Sequence, residues 1–479
     1  MNILLISAAT PETFWSFKHV MPLISKKAAF PPLGLLTVAA MLPDRWNLRV
    51  CDLNVQRLTD TDIEWADYVF ISAMIVQADS AREAISRCQQ KEKTVIAGGP
   101  LFTTGYDQFP EVKHFVLSEA ENMIQRLIED MEEGSLQHFY KDENRPDITN
   151  TPSPRWDLID LKQYATMSLQ FSRGCPHNCE FCDIIIMNGR KPRVKTSEQM
   201  IGELDSLMAY GWQGPIFIVD DNFIGNKRKV KDFLRHLIEW QKRQRRRVTF
   251  TTEASLDIVE DPELVDLMVK AGFHKIFMGI ETPSIESLKE CSKLQNTRCE
   301  PAAVVKSLHN AGLEVMGGFI IGFDHDEPNI FQQQLRFIQE TGIVTAMVGL
   351  LNALPGTRLF SRLKEEGRLL SDTSGNNMDA ALNFVPKLDS EWLISGYRNL
   401  VKHIYTPKNY YARILTFLQE YQPSGLAPRA GWSEIKAFIK SLWLIGVCSK
   451  GRREFWKFMS KVILFHRRSF PEAVQMAIL

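Results

Sequence analysis

Three cysteines stand on one short run, Phe171-Ser172-Arg173-Gly174-Cys175-Pro176-His177-Asn178-Cys179-Glu180-Phe181-Cys182-Asp183, spaced C-x3-C-x2-C with an aromatic before the last. Three thiolates on a single loop can hold three irons of a four-iron, four-sulfur cluster, for which thiolate is the usual ligand. The fourth iron then has no protein ligand and can bind a substrate or cofactor, just as a catalytic zinc keeps an open position. A structural zinc loop is the alternative chemistry. It needs a fourth ligand nearby, and His177 lies inside the loop.

The run resembles the cluster loop of the radical S-adenosylmethionine enzymes, whose open iron chelates the amino and carboxylate groups of the cofactor's methionine. Polar groups are then expected at the ends of the neighbouring strands, and the chain supplies them in order: Asp220-Asp221-Asn222, Glu253 and Glu281. Carboxylates suit a protonated or iron-bound amine because they accept charge-assisted hydrogen bonds. The resemblance implies Asp220, Asp221 and Asn222 at the methionine amine and Glu281 at ribose hydroxyls. Gly318, Ile320 and Gly322 lie on an apolar strand that suits a flat adenine. Taken singly, each acidic strand end also reads as a turn or a helix cap. Arg190, Lys191, Arg193 and Lys195 read either as contacts to an anionic group or as a solvated loop.

The elements that must position these groups are alternating ones. Residues 1–140 place short apolar strands near 3–7, 48–52, 68–72, 94–97 and 115–117 between amphipathic helices, which predicts a parallel, doubly wound sheet with its ligand at the strand carboxyl ends. No G-x-G-x-x-G follows the first strand, which disfavours a nicotinamide cofactor. Residues 141–165 are polar and proline-bearing and read as a linker. Over 166–375, strands expected at 167–172, 215–220, 248–253, 275–281, 315–321 and 346–350 make a partial (β/α)6 barrel, with chemistry at the strand carboxyl ends. Thr196-Ser197-Glu198-Gln199 reads as a capping box opening a helix. Residues 376–479 are helical in pattern.

A narrower resemblance follows from Pro31-Pro32-Leu33-Gly34, Pro154-Arg155-Trp156-Asp157-Leu158, the cysteine loop and the run from Asp220 to Asn226. These are similar to the cobalamin-binding radical S-adenosylmethionine family. Gly279-Ile280-Glu281-Thr282-Pro283 and the helical tail resemble the branch that includes the hopanoid C-2 methylases. The resemblance implies cobalamin on the N-terminal Rossmann-like sheet, stacked over the cluster domain. It implies methyl transfer to an unactivated carbon, with a small molecule or a hopanoid-like lipid as substrate, and a reducing partner such as flavodoxin or ferredoxin. The familiar D-x-H-x-x-G fingerprint is absent: Asp52-Leu53-Asn54 occupies its place, and His19, His114 and His138 lack its spacing. Cobalamin is therefore expected without a histidine lower ligand, on the loops 72–77, 98–101 and 118–121, with Ser72, Gly98 and Gly99 among the contacts. Two other readings stay open: a radical cyclase or rearrangement enzyme, and a non-catalytic cobalamin-binding sensor or carrier. The intact cysteine triad argues against the second.

Composition sets the remaining bounds. The 479 residues, 44% apolar and 24% charged, predict a soluble globular chain of several domains. Cys51, Cys88, Cys291, Cys299 and Cys448 have no paired spacing, which fits reduced thiols in a cytoplasm. Balanced charge, 57 basic against 57 acidic residues, gives no case for nucleic acid. The first residues read as a strand and not as a signal peptide. In the tail, Lys450, Arg452, Arg453, Lys457, Lys461, Arg467 and Arg468 interleave with Phe455, Trp456, Phe458, Ile463, Leu464 and Phe465. That segment reads as a packed helix with a cationic outer face, or as a peripheral contact with the inner face of a membrane.

Overall fold

The computed structural model describes residues 1–423 and 432–478, so 424–431 and 479 of the expected helical region lie outside the described residues. The first sheet has six parallel strands in the order β2-β1-β3-β4-β5-β6. They are β1 Asn2–Ser7, β2 Asn47–Asp52, β3 Tyr68–Ser72, β4 Thr94–Gly98, β5 His114–Leu117 and β6 Phe139–Lys141. The unbroken apolar run of β1 reflects burial on both faces: Ile3 and Leu5 pack with the helix Leu33–Met41, while Leu4 and Ile6 pack with the helix Ala78–Gln90. Strand β6 was not legible in the sequence. It has three residues, and only Tyr140 is buried, with its hydroxyl donating to Asp130 Oδ2 at 2.7 Å.

The second sheet is also parallel, ordered β7-β10-β11-β12-β13-β14. Its strands are β7 Met167–Leu169, β10 Ile216–Ile218, β11 Phe250–Glu253, β12 Phe273–Glu281, β13 Glu314–Ile321 and β14 Ala346–Leu350. Alternation sorts their side chains. Ile216, Ile218, Ile276, Met278, Val315, Phe319 and Val348 join one core with the surrounding helices. Phe217, Glu253, Phe277, Gly279, Gly318 and Ile320, at the intervening positions, turn to the concave side.

The expected strand 167–172 is two pieces. Asp220 accepts hydrogen bonds from the Phe171 N–H (2.8 Å) and the Ser172 hydroxyl (2.6 Å) and takes the chain out of the sheet. A second strand, β8 Ser172–Arg173, then pairs antiparallel with β9 Arg193–Val194, which closes the base of the cysteine loop. The capping box forms by half. Thr196 accepts from the Gln199 N–H, but the Gln199 side chain reaches away to the Ile148 and Thr151 carbonyls.

Candidate functional site

The cysteine loop is held by its backbone and by its neighbours. Gly174 has φ +97°, and a Cβ there would come within 2.8 Å of the Gly189 carbonyl, so the turn requires glycine. The Gly174 N–H donates to Asp221 Oδ2 at 3.0 Å, and Asn188 Nδ2 donates to the same oxygen at 2.9 Å. From the other side, the helix Arg358–Glu365 grips residues 178–180. The Leu359 N–H donates to the Glu180 carbonyl at 3.1 Å, and the Arg362 guanidinium pairs with the Glu180 carboxylate at 2.8 Å.

Cys175, Cys179 and Cys182 are partly buried free thiols. Asn222 Nδ2 lies 4.0 Å from Cys175 Sγ, and Gln295 Nε2 lies 3.6 Å from Cys179 Sγ, so two amides aim donors at two sulfurs. Burial pushes the Cys175 and Cys182 thiols up from their ordinary value. The buried Lys293 ammonium is nonetheless raised, because Glu281 and the thiols of Cys179 and Cys182 outweigh its desolvation. Among the described residues, no three Cys, His, Asp or Glu side chains converge on a single-ion site. Three thiols on one loop, ringed by N–H donors and one cation, form a donor set suited to an anionic iron–sulfur cluster. Lys293 and Gln295 were not singled out in the sequence.

The acidic strand ends meet at the mouth of the second sheet, with unequal freedom. Asp220 is fully buried, its two oxygens committed to Phe171 and Ser172, and burial pushes its carboxyl up to about 7. Asp221 is committed to Gly174 and Asn188. Asn222 joins Cys175 to Ser255, donating to the Ser255 hydroxyl at 3.1 Å, while Ser255 Oγ lies 3.3 Å from His177 Nε2. Glu281 pairs with Lys293. Glu253 differs, since no side-chain hydrogen bond engages its carboxylate among the described residues. Burial, with Asp221 and Asp220 beside it, pushes that carboxyl up to about 8. A half-buried carboxylate among carboxylates is a place for a cationic ligand. Gly318 sits under the ring of Phe277, where a Cβ would approach Cζ to 2.8 Å, and Ile320 is half-buried beside it on the concave face. Gly322 has φ +109° and turns the chain so that its N–H reaches Asp326 Oδ2 at 2.8 Å.

On the first sheet, Ser72, Gly98 and Gly99 come together at the carboxyl ends of β3 and β4. Gly99 has φ +93°, and a Cβ there would lie 2.6 Å from Ser72 Oγ. Asn54 and Gln77 knit the adjoining loops, accepting from the Thr10 N–H (2.8 Å) and donating to the Ala8 carbonyl (2.7 Å). Ligands of doubly wound sheets sit at such strand carboxyl ends. His114 and His138 are tied to the carbonyls of Gln137 and Lys113 at the opposite strand ends, and His19 pairs with Glu12 on the surface.

The loop 118–121 ties the first sheet to the cysteine loop. Arg173 pairs with Glu119 at 2.6 Å and with Glu121 at 2.7 Å, and Arg193 pairs with Glu119 at 2.7 Å. Glu119, 8% exposed, therefore bolts the end of β5 to the base of the cysteine loop. Arg193 and Lys195 are structural, since Lys195 pairs with buried Glu203. Arg190 and Lys191 remain exposed. The loop after β1 crosses the same joint, and Trp15 meets Phe277 edge to face with ring centroids 5.0 Å apart. Phe30 lies 5.4 Å from Phe217.

Residues 6–128 match the B12 binding domain, residues 169–338 the Radical SAM superfamily, and residues 357–479 a domain of unknown function, DUF4070. The chain is 41% identical over 462 residues to an uncharacterized methyltransferase of Synechocystis sp., covering 95% of this chain and 86% of that protein. It is 35% identical over 470 residues to the hopanoid C-2 methylase of Rhodopseudomonas palustris, covering 95% and 88%. Among solved structures, the cobalamin-dependent S-adenosylmethionine radical enzyme OxsB with aqua-cobalamin bound shares the fold. Its TM-score is 0.65 at 16% identity, over 100% of this chain and 83% of that one.

Proposed function

Since the chain belongs to the cobalamin-dependent radical S-adenosylmethionine methyltransferases, we propose that it methylates an unactivated carbon of a hopanoid-like polycyclic lipid. When bound, the cluster, S-adenosylmethionine and cobalamin supply the electron, the hydrogen-abstracting radical and the methyl group.

The chain's own residues bind, orient and exclude water. Cys175, Cys179 and Cys182 are the ligands to three irons in this reading. Asn222 and Gln295 lower the charge on the sulfurs by donating hydrogen bonds. Glu253 accepts from the cationic end of S-adenosylmethionine. Asp220 and Asp221 act one step removed, as positioning residues for the cysteine loop. Ser72, Gly98 and Gly99 would hold the corrin at the carboxyl ends of β3 and β4.

The observation that carries the substrate reading is the aromatic set at the joint. Trp15, Phe30, Phe217 and Phe277 are all half-buried, and two of them come from the loop that spans both sheets. Half-buried rings on a concave site have apolar faces available for a rigid hydrocarbon. The 35% identity to the hopanoid C-2 methylase supports the same choice. A low-potential flavodoxin or ferredoxin would supply the electron.

Expression in a host that makes unmethylated hopanoids should yield methylated hopanoid by mass spectrometry. Purified enzyme should make adenosylhomocysteine and deoxyadenosine in equal amounts. Unchanged lipids with matched nucleoside products would overturn the hopanoid assignment alone, whereas deoxyadenosine without adenosylhomocysteine would overturn methyl transfer.

A further inference from the structure

Two helices near the C-terminus, Trp432–Trp443 and Arg452–Phe465, present large apolar side chains outward. In the second helix Phe455, Phe458, Met459 and Val462 are buried in a core with Tyr411, Ile414 and Phe417. The other side of that helix carries Trp456, Leu464 and Phe465, which are 50, 63 and 76% exposed. Ile439, Trp443 and Val447, one helical turn apart, are 60, 63 and 45% exposed. Trp456 Nε1 donates to the Gly446 carbonyl at 2.9 Å and joins the two segments into one surface.

Charge on this surface is one-sided. Between 438 and 469 stand eight Lys and Arg and a single Glu, in a chain that is neutral as a whole. Only Lys457 among them has an acidic partner, Glu454 at 3.0 Å, among the described residues. Arg452, Arg453, Trp456 and Lys457 line an open groove of about 590 Å³. Large exposed aromatics rimmed by cations mark an interaction surface and not an ordinary solvated one. The combination is that of helices lying in a membrane interface, with Trp, Phe and Leu at the acyl boundary and Lys and Arg among the phosphates. No helix among the described residues is long and apolar enough to cross a membrane.

We propose that this face docks the enzyme on an anionic phospholipid bilayer. Trp443, Leu464 and Phe465 enter the acyl boundary, and Arg453, Lys457 and Lys461 meet lipid phosphates. Charge complementarity selects this occupant: a nucleic acid would satisfy the cations and leave the apolar residues in water. The inference does not depend on the hopanoid reading, because its test contains no substrate.

Full-length protein is floated with vesicles of phosphatidylcholine alone or mixed with phosphatidylglycerol. It should rise only with the anionic vesicles, with a blue shift in tryptophan emission. Arg453→Glu/Lys457→Glu/Lys461→Glu should weaken flotation on the order of a hundredfold, from the loss of three cations near the surface. Trp443→Ser/Leu464→Ser/Phe465→Ser should weaken it at least about tenfold. All six side chains are exposed, so circular dichroism should be unchanged in both variants. Equal flotation with neutral vesicles overturns the proposal. So does full binding by the serine variant, which would mean capture of phosphate by charge alone, or a dimer in light scattering that the serine variant dissolves.

Discussion

Replacing Cys175, Cys179 and Cys182 with alanine should yield a folded protein that takes up no iron and forms no deoxyadenosine. Folding should survive because the loop is held by groups other than the thiols: Gly174 on Asp221, Leu359 and Arg362 on Glu180, and the Glu180 N–H on the Cys291 carbonyl at 2.8 Å. Iron should fall from about four per chain after anaerobic reconstitution to background, since a cubane needs these thiolates. Cys291→Ala is the internal control. That thiol is buried, lies outside the C-x3-C-x2-C loop and donates to the Leu288 carbonyl at 3.5 Å, so it should be dispensable for iron. The same chemistry sets a pH dependence. Burial raises the Cys175 and Cys182 pKa values, so both are thiols in metal-free protein, and ligation must expel their protons. Cluster assembly should therefore accelerate as pH rises. Iron retained by the triple variant, or stoichiometric zinc in the native chain, would reject the cluster assignment.

The cysteine loop and both sheets were legible because their signals are local. A C-x3-C-x2-C run needs thirteen residues of context, and strands such as β1 and β13 announce themselves by apolar length and by the turn residues around them. Signals that depend on chain-distant partners were not legible. Asp220 reads in sequence as a free acid at a strand end, but it is consumed by Phe171 and Ser172, 48 residues or more upstream. Glu119 sits in a loop that reads as a ligand contact, and only the fold reveals the three arginines, Arg145, Arg173 and Arg193, that pair with it. Trp15 lies in a long loop without periodicity, so nothing in its neighbourhood points to Phe277. In each case local pattern names the residue type that can do the chemistry. Which carboxylates stay free is decided by packing, and here that leaves Glu253.

Lys293 carries the same lesson into energetics, because no motif points to it, yet its loss should be among the costliest single changes near the site. Its ammonium pairs with Glu281, the two side chains 12 and 8% exposed. A Cβ on Gly279 would collide with the pair, so the strand leaves space for it. Glu281 itself sits at φ +65°, and its carbonyl accepts from Gln334 Nε2 at 3.2 Å, so the acid is fixed by its backbone. Lys293→Met therefore strands a buried carboxylate, a loss of about 3–5 kcal/mol, read as a lower urea midpoint. The double variant Lys293→Met/Glu281→Gln removes both charges and should recover much of that loss, since desolvating a charge is the main cost. A double variant no more stable than the single one would assign the effect to lost packing instead. The pH behaviour separates the two further. Lys293 has a raised pKa in the folded state, so its contribution is complete below the ordinary lysine value and declines only as pH climbs through the higher one. The midpoint difference between native chain and Lys293→Met should accordingly stay level between roughly pH 6 and 9. A difference that shrank steadily over that interval would mean that Lys293 is not the counter-charge of Glu281.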